Sequence, residues 1–309
     1  MSVFFTFPGQ GSQRAGMLNR LATLPEARPA IQAASQALGE DMLAWDSPDA
    51  LRSTVAAQIC LLAAGVAMAA VLAARDAQPD MVAGLSIGAY PAAVVAGVLV
   101  YEDAVRLVHL RATLMQRRFP SGYGMTAISG LPADALQALI DAVHSPGEPV
   151  YLANFNAPTQ LVISGSDAAL AKVAALALAK GATRATRIDI AVPSHCPLLD
   201  EDALVLQQAF DEVAVHNPQL EYLSASRARV LRDGREIAHD LAFNMARPVL
   251  WHDTVRLAWE RGARLALEMP SGSVLSGLTA PVFAGGRVAC SDNHGPDSLA
   301  ALVRRTRQL

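Results

Sequence analysis

The chain has 309 residues, 52% of them hydrophobic and 17% charged, which is enough apolar side chain for one large core with a smaller satellite and too much for a disordered chain. A formal net charge of −3 and an aromatic content of 5% give no pull toward nucleic acid or anionic membrane and few rings on which bases could stack. Cys60, Cys196 and Cys290 make no C-x-x-C pair and leave an odd thiol, so a reducing compartment and a cytoplasmic protein are expected.

In chain order, the first element is a short apolar strand over residues 3–7. It stops at Pro8-Gly9, as a buried parallel strand does before a functional loop. No basic segment precedes it, so the start does not read as a signal peptide. Residues 54–74 are rich in Ala and Leu and lack proline, which predicts a helix apolar nearly all round and hence buried. Residues 81–85 read as a second strand. The uncharged stretch 59–74 is short for a membrane span. The stretch 81–100 has the length, but Gly84, Ser86, Gly88 and Pro91 break it, as in a buried strand turning sharply into a buried helix. No membrane partner is expected.

Helices follow over 89–96 and 101–119. The second sets Glu102, Asp103, Arg106, Arg111, Arg117 and Arg118 on an apolar pattern, the mark of a half-exposed helix. From 124 onward the elements shorten: strand 125–129, helix 132–143, strands 151–156 and 160–164, helix 168–180, strand 183–190. That order is the split β-α-β, ferredoxin-like unit. A helix over 198–214 and strands near 220–225 and 264–269 return the chain to the main sheet. The fold expected is α/β: an α/β-hydrolase-like core with a mostly parallel sheet, residues 1–122 and 192–309, and an inserted ferredoxin-like α+β subdomain, residues 123–191.

Gly84-Leu85-Ser86-Ile87-Gly88 fits G-x-S-x-G and lies between a predicted strand and a predicted helix, the context that motif requires. Small residues flank the serine because larger ones would clash in so tight a turn, and the helix N-terminus behind it suits a developing oxyanion. A Gly/Ser-rich turn without chemistry matches the bare pattern too. Strand and helix on either side weigh against it, leaving hydrolase and transferase open.

Several separate segments then carry a family resemblance over nearly the whole chain. They are Phe7-Pro8-Gly9-Gln10-Gly11-Ser12-Gln13, the Ser86 elbow, Val105-Arg106-Leu107-Val108 with Arg111 and Met115-Gln116, Asn154-Phe155-Asn156, Val192-Pro193-Ser194-His195-Cys196, and Pro248-Val249 with Trp251. In this order they resemble the malonyl-CoA:acyl carrier protein transacylases. That family's elbow usually reads Gly-His-Ser-Leu-Gly-Glu, whereas Leu85, Ile87 and Ala89 stand here. The elbow running on through Tyr90-Pro91, with Asn244-Met245-Ala246-Arg247-Pro248, is more similar to the malonyltransferase (epsilon) subunit of malonate decarboxylase.

The resemblance implies a nucleophile at Ser86 and, since a serine hydroxyl needs a neighbouring base, His195 in that role. Asp189, the nearest upstream acid, alternates with Ile188 and Ile190 and is expected to face away, so a Ser-His dyad without an acid is predicted. Its histidine would be oriented by a backbone carbonyl near Pro-Val-x-Trp, assigned to Leu250. The backbone N–H groups of Gln10 and Ile87 are the expected oxyanion donors. Arg111 would grip the substrate's free carboxylate through two parallel hydrogen bonds, which lysine cannot reproduce. Gln58, Asn154 and Asn156 are further substrate-binding candidates, and they are equally read as buried hydrogen-bonding groups. Arg184 and Arg187 are candidates for coenzyme A phosphates or an acidic carrier, or for plain solubilising arginines.

The implied reaction moves malonyl from malonyl-CoA to an acyl carrier protein, with malonate decarboxylase's carrier subunit as a candidate partner. The coenzyme A thioester is a substrate, and no permanent cofactor is expected. The seven histidines lack metal-ligand spacing, so no metal is expected. Two rivals stand beside this. An esterase or thioesterase would use a late histidine such as His294 near Asp292, and a scaffold subunit would keep the fold without the chemistry.

Overall fold

The computed structural model describes residues 1–308. The chain begins with β1 (Ser2–Phe7), then α1 (Met17–Leu21), α2 (Arg28–Leu38), α3 (Thr54–Ala73), β2 (Met81–Gly84), α4 (Ala89–Val95) and α5 (Tyr101–Arg118). Next come β3 (Tyr123–Ser129), α6 (Ala133–Val143), β4 (Val150–Ala157), β5 (Gln160–Ser166), α7 (Asp167–Ala179) and β6 (Arg184–Ile188). The last part is α8 (Asp200–Phe210), β7 (Glu221–Ser224), β8 (Arg229–Leu231), α9 (Gly234–Phe243), α10 (Trp251–Glu260), β9 (Ala263–Glu268), α11 (Val274–Thr279), β10 (Arg287–Cys290) and α12 (Pro296–Arg307).

Two sheets result. The larger runs β10-β9-β1-β2-β7-β8, parallel throughout except for β8, which returns antiparallel on β7. β1 lies at its centre, in register with β2 from Phe4 opposite Met81 to Phe7 opposite Gly84. Its side chains alternate between two apolar layers. Val3, Phe5 and Phe7 face the layer with α3, and Phe4 faces Trp251, Val255 and Leu275 of α10 and α11. A strand apolar on both faces needs helices on both, which is why it reads as a continuous run rather than an alternation.

The smaller sheet is wholly antiparallel in the order β4-β5-β3-β6, the order of a split β-α-β unit. Its helices α6 and α7 bury Leu136, Ile140, Leu170 and Val173 with Ile128, Leu161 and Ile163 of the strands. Helix α3 is long and apolar enough to cross a membrane, but most of it is buried as the central helix of the large layer. One segment joins the two sheets. Val249 exchanges backbone hydrogen bonds with Ala153 and Phe155 of β4, and Leu250 N–H donates to Ala225 O beyond β7.

The helix expected over 198–214 is confined to α8. It is preceded by a 3-10 turn at Pro197–Leu199, and beyond it Val215 bridges Leu99 as extended chain, which helical dihedrals would forbid. Helices α1, α2 and α9 to α12 and strands β8 and β10 add to the elements legible in the sequence.

Candidate active site

The elbow is built by close approach of backbones. A Cβ on Gly84 would lie 1.9 Å from the carbonyl carbon of Gly88, and one on Gly88 would lie 2.1 Å from Phe7 O. Neither position tolerates a side chain, so the chain can leave β2 and enter the 3-10 turn Ser86–Gly88 directly beneath the end of β1. Ser86 itself has φ 57°, a left-handed conformation that costs a non-glycine residue energy and turns its hydroxyl out of the sheet. His195 is held the same way, at φ 64°, so both side chains sit on strained backbone.

Their side chains meet. His195 Nε2 lies 2.9 Å from Ser86 Oγ, and Nδ1 lies 2.9 Å from Asn244 O and 3.1 Å from Arg247 O. With carbonyls at Nδ1, that nitrogen carries the proton and Nε2 is left as the acceptor for the serine hydroxyl. Among the described residues no carboxylate hydrogen-bonds to His195, and Asp189 is exposed. Burial, and then the charge of Arg111, push the imidazole pKa down from 6.5 to about 4, while the two carbonyls oppose the shift. The imidazole is therefore neutral near pH 7.

Leu250 does not orient the histidine, which corrects the assignment made from the Pro-Val-x-Trp motif. Its carbonyl accepts from Thr254 N–H at 3.0 Å and Thr254 Oγ1 at 2.8 Å. A residue at the start of a helix gives its carbonyl to the first turn of that helix, here α10. The carbonyls at Nδ1 come instead from Asn244, which opens the 3-10 turn after α9, and Arg247, the extended residue that follows it. Carbonyl direction is set by the turn and leaves little trace in residue type, so only the unusual Asn244-to-Pro248 segment marked the place.

Arg111 comes from α5 and is wholly buried. Nη1 donates to Gln58 Oε1 at 2.5 Å, and Nη2 donates to Ser86 Oγ at 3.3 Å and to Asn244 Oδ1 at 3.4 Å. The guanidinium carbon stands 5.9 Å from the Tyr90 ring centre, within cation-π range, and Nε has no partner. Among the described residues no acidic side chain pairs with it, and burial lowers its pKa from the ordinary value. A desolvated guanidinium without a counter-ion is costly, so the site is built for an anion the chain does not itself provide.

A cavity of about 210 Å³ opens in front of Ser86. Gln10, Ser86, Asn154, Asn156 and His195 supply its polar wall, and Met125, Val162, Ile188 and Leu278 an apolar one. Gln58 and Arg111 lie behind that wall and reach it through their hydrogen bonds. Gln58 Nε2 donates to Gln10 Oε1 at 3.3 Å, tying it to the loop after β1. Asn154 and Asn156 both line the cavity, and their side-chain oxygens are buried without hydrogen-bond partners. Ile87 follows Ser86 in the 3-10 turn, its apolar side chain fully buried.

Some expected participants lie elsewhere. Arg187 donates to Tyr123 O and to Asp167, Arg184 to Thr186 Oγ1, and both are exposed. His294 and Asp292 line a separate cavity with Arg14 and Pro270, and the Asp292 carboxylate accepts from Gly272 N–H. They form no triad with Ser86. Asn244, Tyr90 and Met115, whose sulfur lies 3.6 Å from Gln58 Nε2, also stand around Arg111 and Gln58; they fall in the segments that carry the resemblance, but no site role was assigned to them from the sequence.

A serine on a strained strand-to-helix elbow, a neutral histidine held by carbonyls and a buried arginine without an acidic partner meet beside one cavity, an arrangement suited to acyl transfer. Residues 4–283 match the acyl transferase domain family. The malonyl CoA-acyl carrier protein transacylase of Haemophilus influenzae is 39% identical over 280 residues, covering 88% of this chain and 89% of that one. The solved transacylase of Coxiella burnetii superposes with a TM-score of 0.93 at 31% identity, over 99% of this chain and 98% of its own. A structure described as a type II PKS acyl-carrier protein in complex with its malonyl-transacylase gives 0.92 at 34%, over 99% and 100%. The chain belongs to the malonyl-CoA:acyl carrier protein transacylase family.

Proposed function

We propose that this protein transfers malonyl from malonyl-CoA to an acyl carrier protein thiol through an ester on Ser86. The observation that carries the proposal is the position of Ser86 Oγ, 2.9 Å from the neutral Nε2 of His195 and 3.3 Å from a buried guanidinium with no carboxylate of its own.

In the first half-reaction the Ser86 proton passes to His195 Nε2 as Oγ attacks the thioester carbon. The oxyanion is met by the N–H groups of Gln10 and Ile87. The carbon-sulfur bond breaks, and the imidazolium returns its proton to the coenzyme A sulfur. In the second half-reaction His195 takes the proton of the carrier's thiol, the sulfur attacks the ester, and Ser86 leaves reprotonated. Arg111 pairs with the malonyl carboxylate throughout. The unpartnered oxygens of Asn154 and Asn156 are the acceptors for amide N–H groups of the thioester arm, and the apolar wall keeps water from the ester.

The larger sheet with its helices, residues 1–122 and 192–309, is the α/β-hydrolase-like catalytic core, and residues 123–191 the ferredoxin-like subdomain that closes one side of the cavity. Three free, buried cysteines support a cytoplasmic setting. The elbow residues Leu85, Ile87 and Ala89, with Asn244 to Pro248, support service to malonate decarboxylase. Loading assays with its carrier subunit and with a fatty-acid carrier protein separate the two roles.

Intact-mass spectrometry after mixing with malonyl-CoA tests the chemistry. One malonyl adduct, lost in Ser86→Ala, stable to water and discharged by a carrier or coenzyme A thiol, is expected. Steady release of free malonate without a carrier would make the protein a hydrolase.

A further inference from the structure

Arg111 is held on two sides by amides that each reach a different part of the transfer machinery. On one side the Gln58 amide takes Nη1 at 2.5 Å and passes a hydrogen bond to Gln10 Oε1, on the loop that carries the proposed oxyanion donor. On the other, Asn244 serves two groups at once. Its side-chain oxygen accepts from Arg111 Nη2 at 3.4 Å, and its main-chain oxygen lies 2.9 Å from His195 Nδ1. Asn244 is buried in the 3-10 turn Asn244–Ala246, beneath His195 N–H, which donates to Met245 O. A side chain and a carbonyl on one short, buried turn do not shift independently.

The two arginine bonds differ in strength. The Gln58 bond is short and anchors Nη1, whereas the Asn244 bond from Nη2 is at the long limit and Nε is unpaired, so these two nitrogens are the more weakly held donors. A carboxylate arriving at those nitrogens reorders the bond to Asn244, and an uncharged acyl group does not.

We infer that Asn244 is a positioning residue that determines acyl-group specificity, tying capture of the substrate's carboxylate by Arg111 to the placement of His195. The inference rests on the proposed carboxylate site at Arg111 and extends it. Preference for malonyl is then expressed in kcat as well as KM, because the carboxylate contact acts on the base and not only on binding.

Asn244→Ala tests this cleanly, since it removes the side-chain oxygen and keeps the carbonyl that clamps His195. kcat and KM for Ser86 loading are measured separately with malonyl-CoA and acetyl-CoA. The malonyl kcat should fall roughly tenfold, the scale of one hydrogen bond to a charged group, and the acetyl kcat less than about threefold. Asn244→Gln, which keeps an amide oxygen, should recover most of the malonyl kcat. If the alanine variant does not fold, Asn244→Asp provides the same test at nearly constant size. Its carboxylate competes for Arg111, and malonyl KM should rise roughly tenfold or more while acetyl KM holds. Equal losses for both donors, an unchanged malonyl kcat in Asn244→Ala, or an unchanged malonyl-to-acetyl ratio in Asn244→Asp overturns the inference. Failure of the unaltered protein to form a malonyl ester refutes the parent function instead, so the two failures are distinct.

Discussion

Replacing Arg111 by methionine removes the buried charge while keeping much of the volume, and its effect on acyl selectivity follows from the bonds described. A guanidinium-carboxylate pair in a desolvated site makes two charge-assisted hydrogen bonds of about 1.5–3 kcal/mol each. Losing both costs about 3–6 kcal/mol, which at about 1.4 kcal/mol per decade is a fall of roughly 10²–10⁴ in kcat/KM for malonyl-CoA. Acetyl-CoA has no carboxylate to lose, so its kcat/KM should change by less than about tenfold, and the malonyl-to-acetyl ratio should collapse. The same substitution removes the second-largest cause of the low His195 pKa. Without that positive charge the imidazolium forms more easily, so the acid limb of the acetyl-CoA profile should move up from about 4. It should not return to 6.5, because burial, the largest cause, is unchanged. Initial rates from pH 3.5 to 8 with both donors measure both effects. A preserved ratio, or an acid limb that stays in place, would refute the account of Arg111.

Four further outcomes follow from the structure. In the unaltered protein kcat/KM should stay flat as pH falls through 6.5 and decline only near 4, since His195 binds no proton in between; a half-maximal point at 6.5 would mean that the imidazole is not desolvated. His195→Ala should slow Ser86 loading by about 10⁴-fold without moving the denaturation midpoint by more than about 1 kcal/mol, and equal loss of activity and fold would mark it as structural. Gly88→Ala forces a Cβ against Phe7 O and should destabilise the fold by about 3 kcal/mol or more, read as a fall in the urea midpoint. Glu268 is buried and accepts from Leu275 and Ser276 N–H at the start of α11, which carries Leu278 to the cavity. Glu268→Gln turns one acceptor into a donor facing a donor and should cost about 1–3 kcal/mol; an unchanged midpoint would show that this cap is replaced by water.

Residue order alone determined the elements whose pattern is local. The apolar run of β1 ending at Pro8-Gly9, the proline-free helix α3 and the Gly84-x-Ser86-x-Gly88 turn each follow from sterics and solvation within a dozen residues, and so were legible. So was the strand-helix alternation of the smaller sheet. Helices α9, α10 and α12 carry mixed polarity and were not, because their identity depends on which layer they cover. The site divides in the same way. Ser86, His195 and Arg111 were picked out by residue type within motifs, but their meeting is a product of packing. Ser86 and His195 are 109 positions apart, and the 2.9 Å between them depends on β2 and the turn after the smaller sheet converging on one cavity. Which carbonyl holds the histidine was decided only in three dimensions. Every residue offers a carbonyl, and its direction belongs to the backbone, so Leu250 spends its own on α10 while Asn244 and Arg247 face the imidazole.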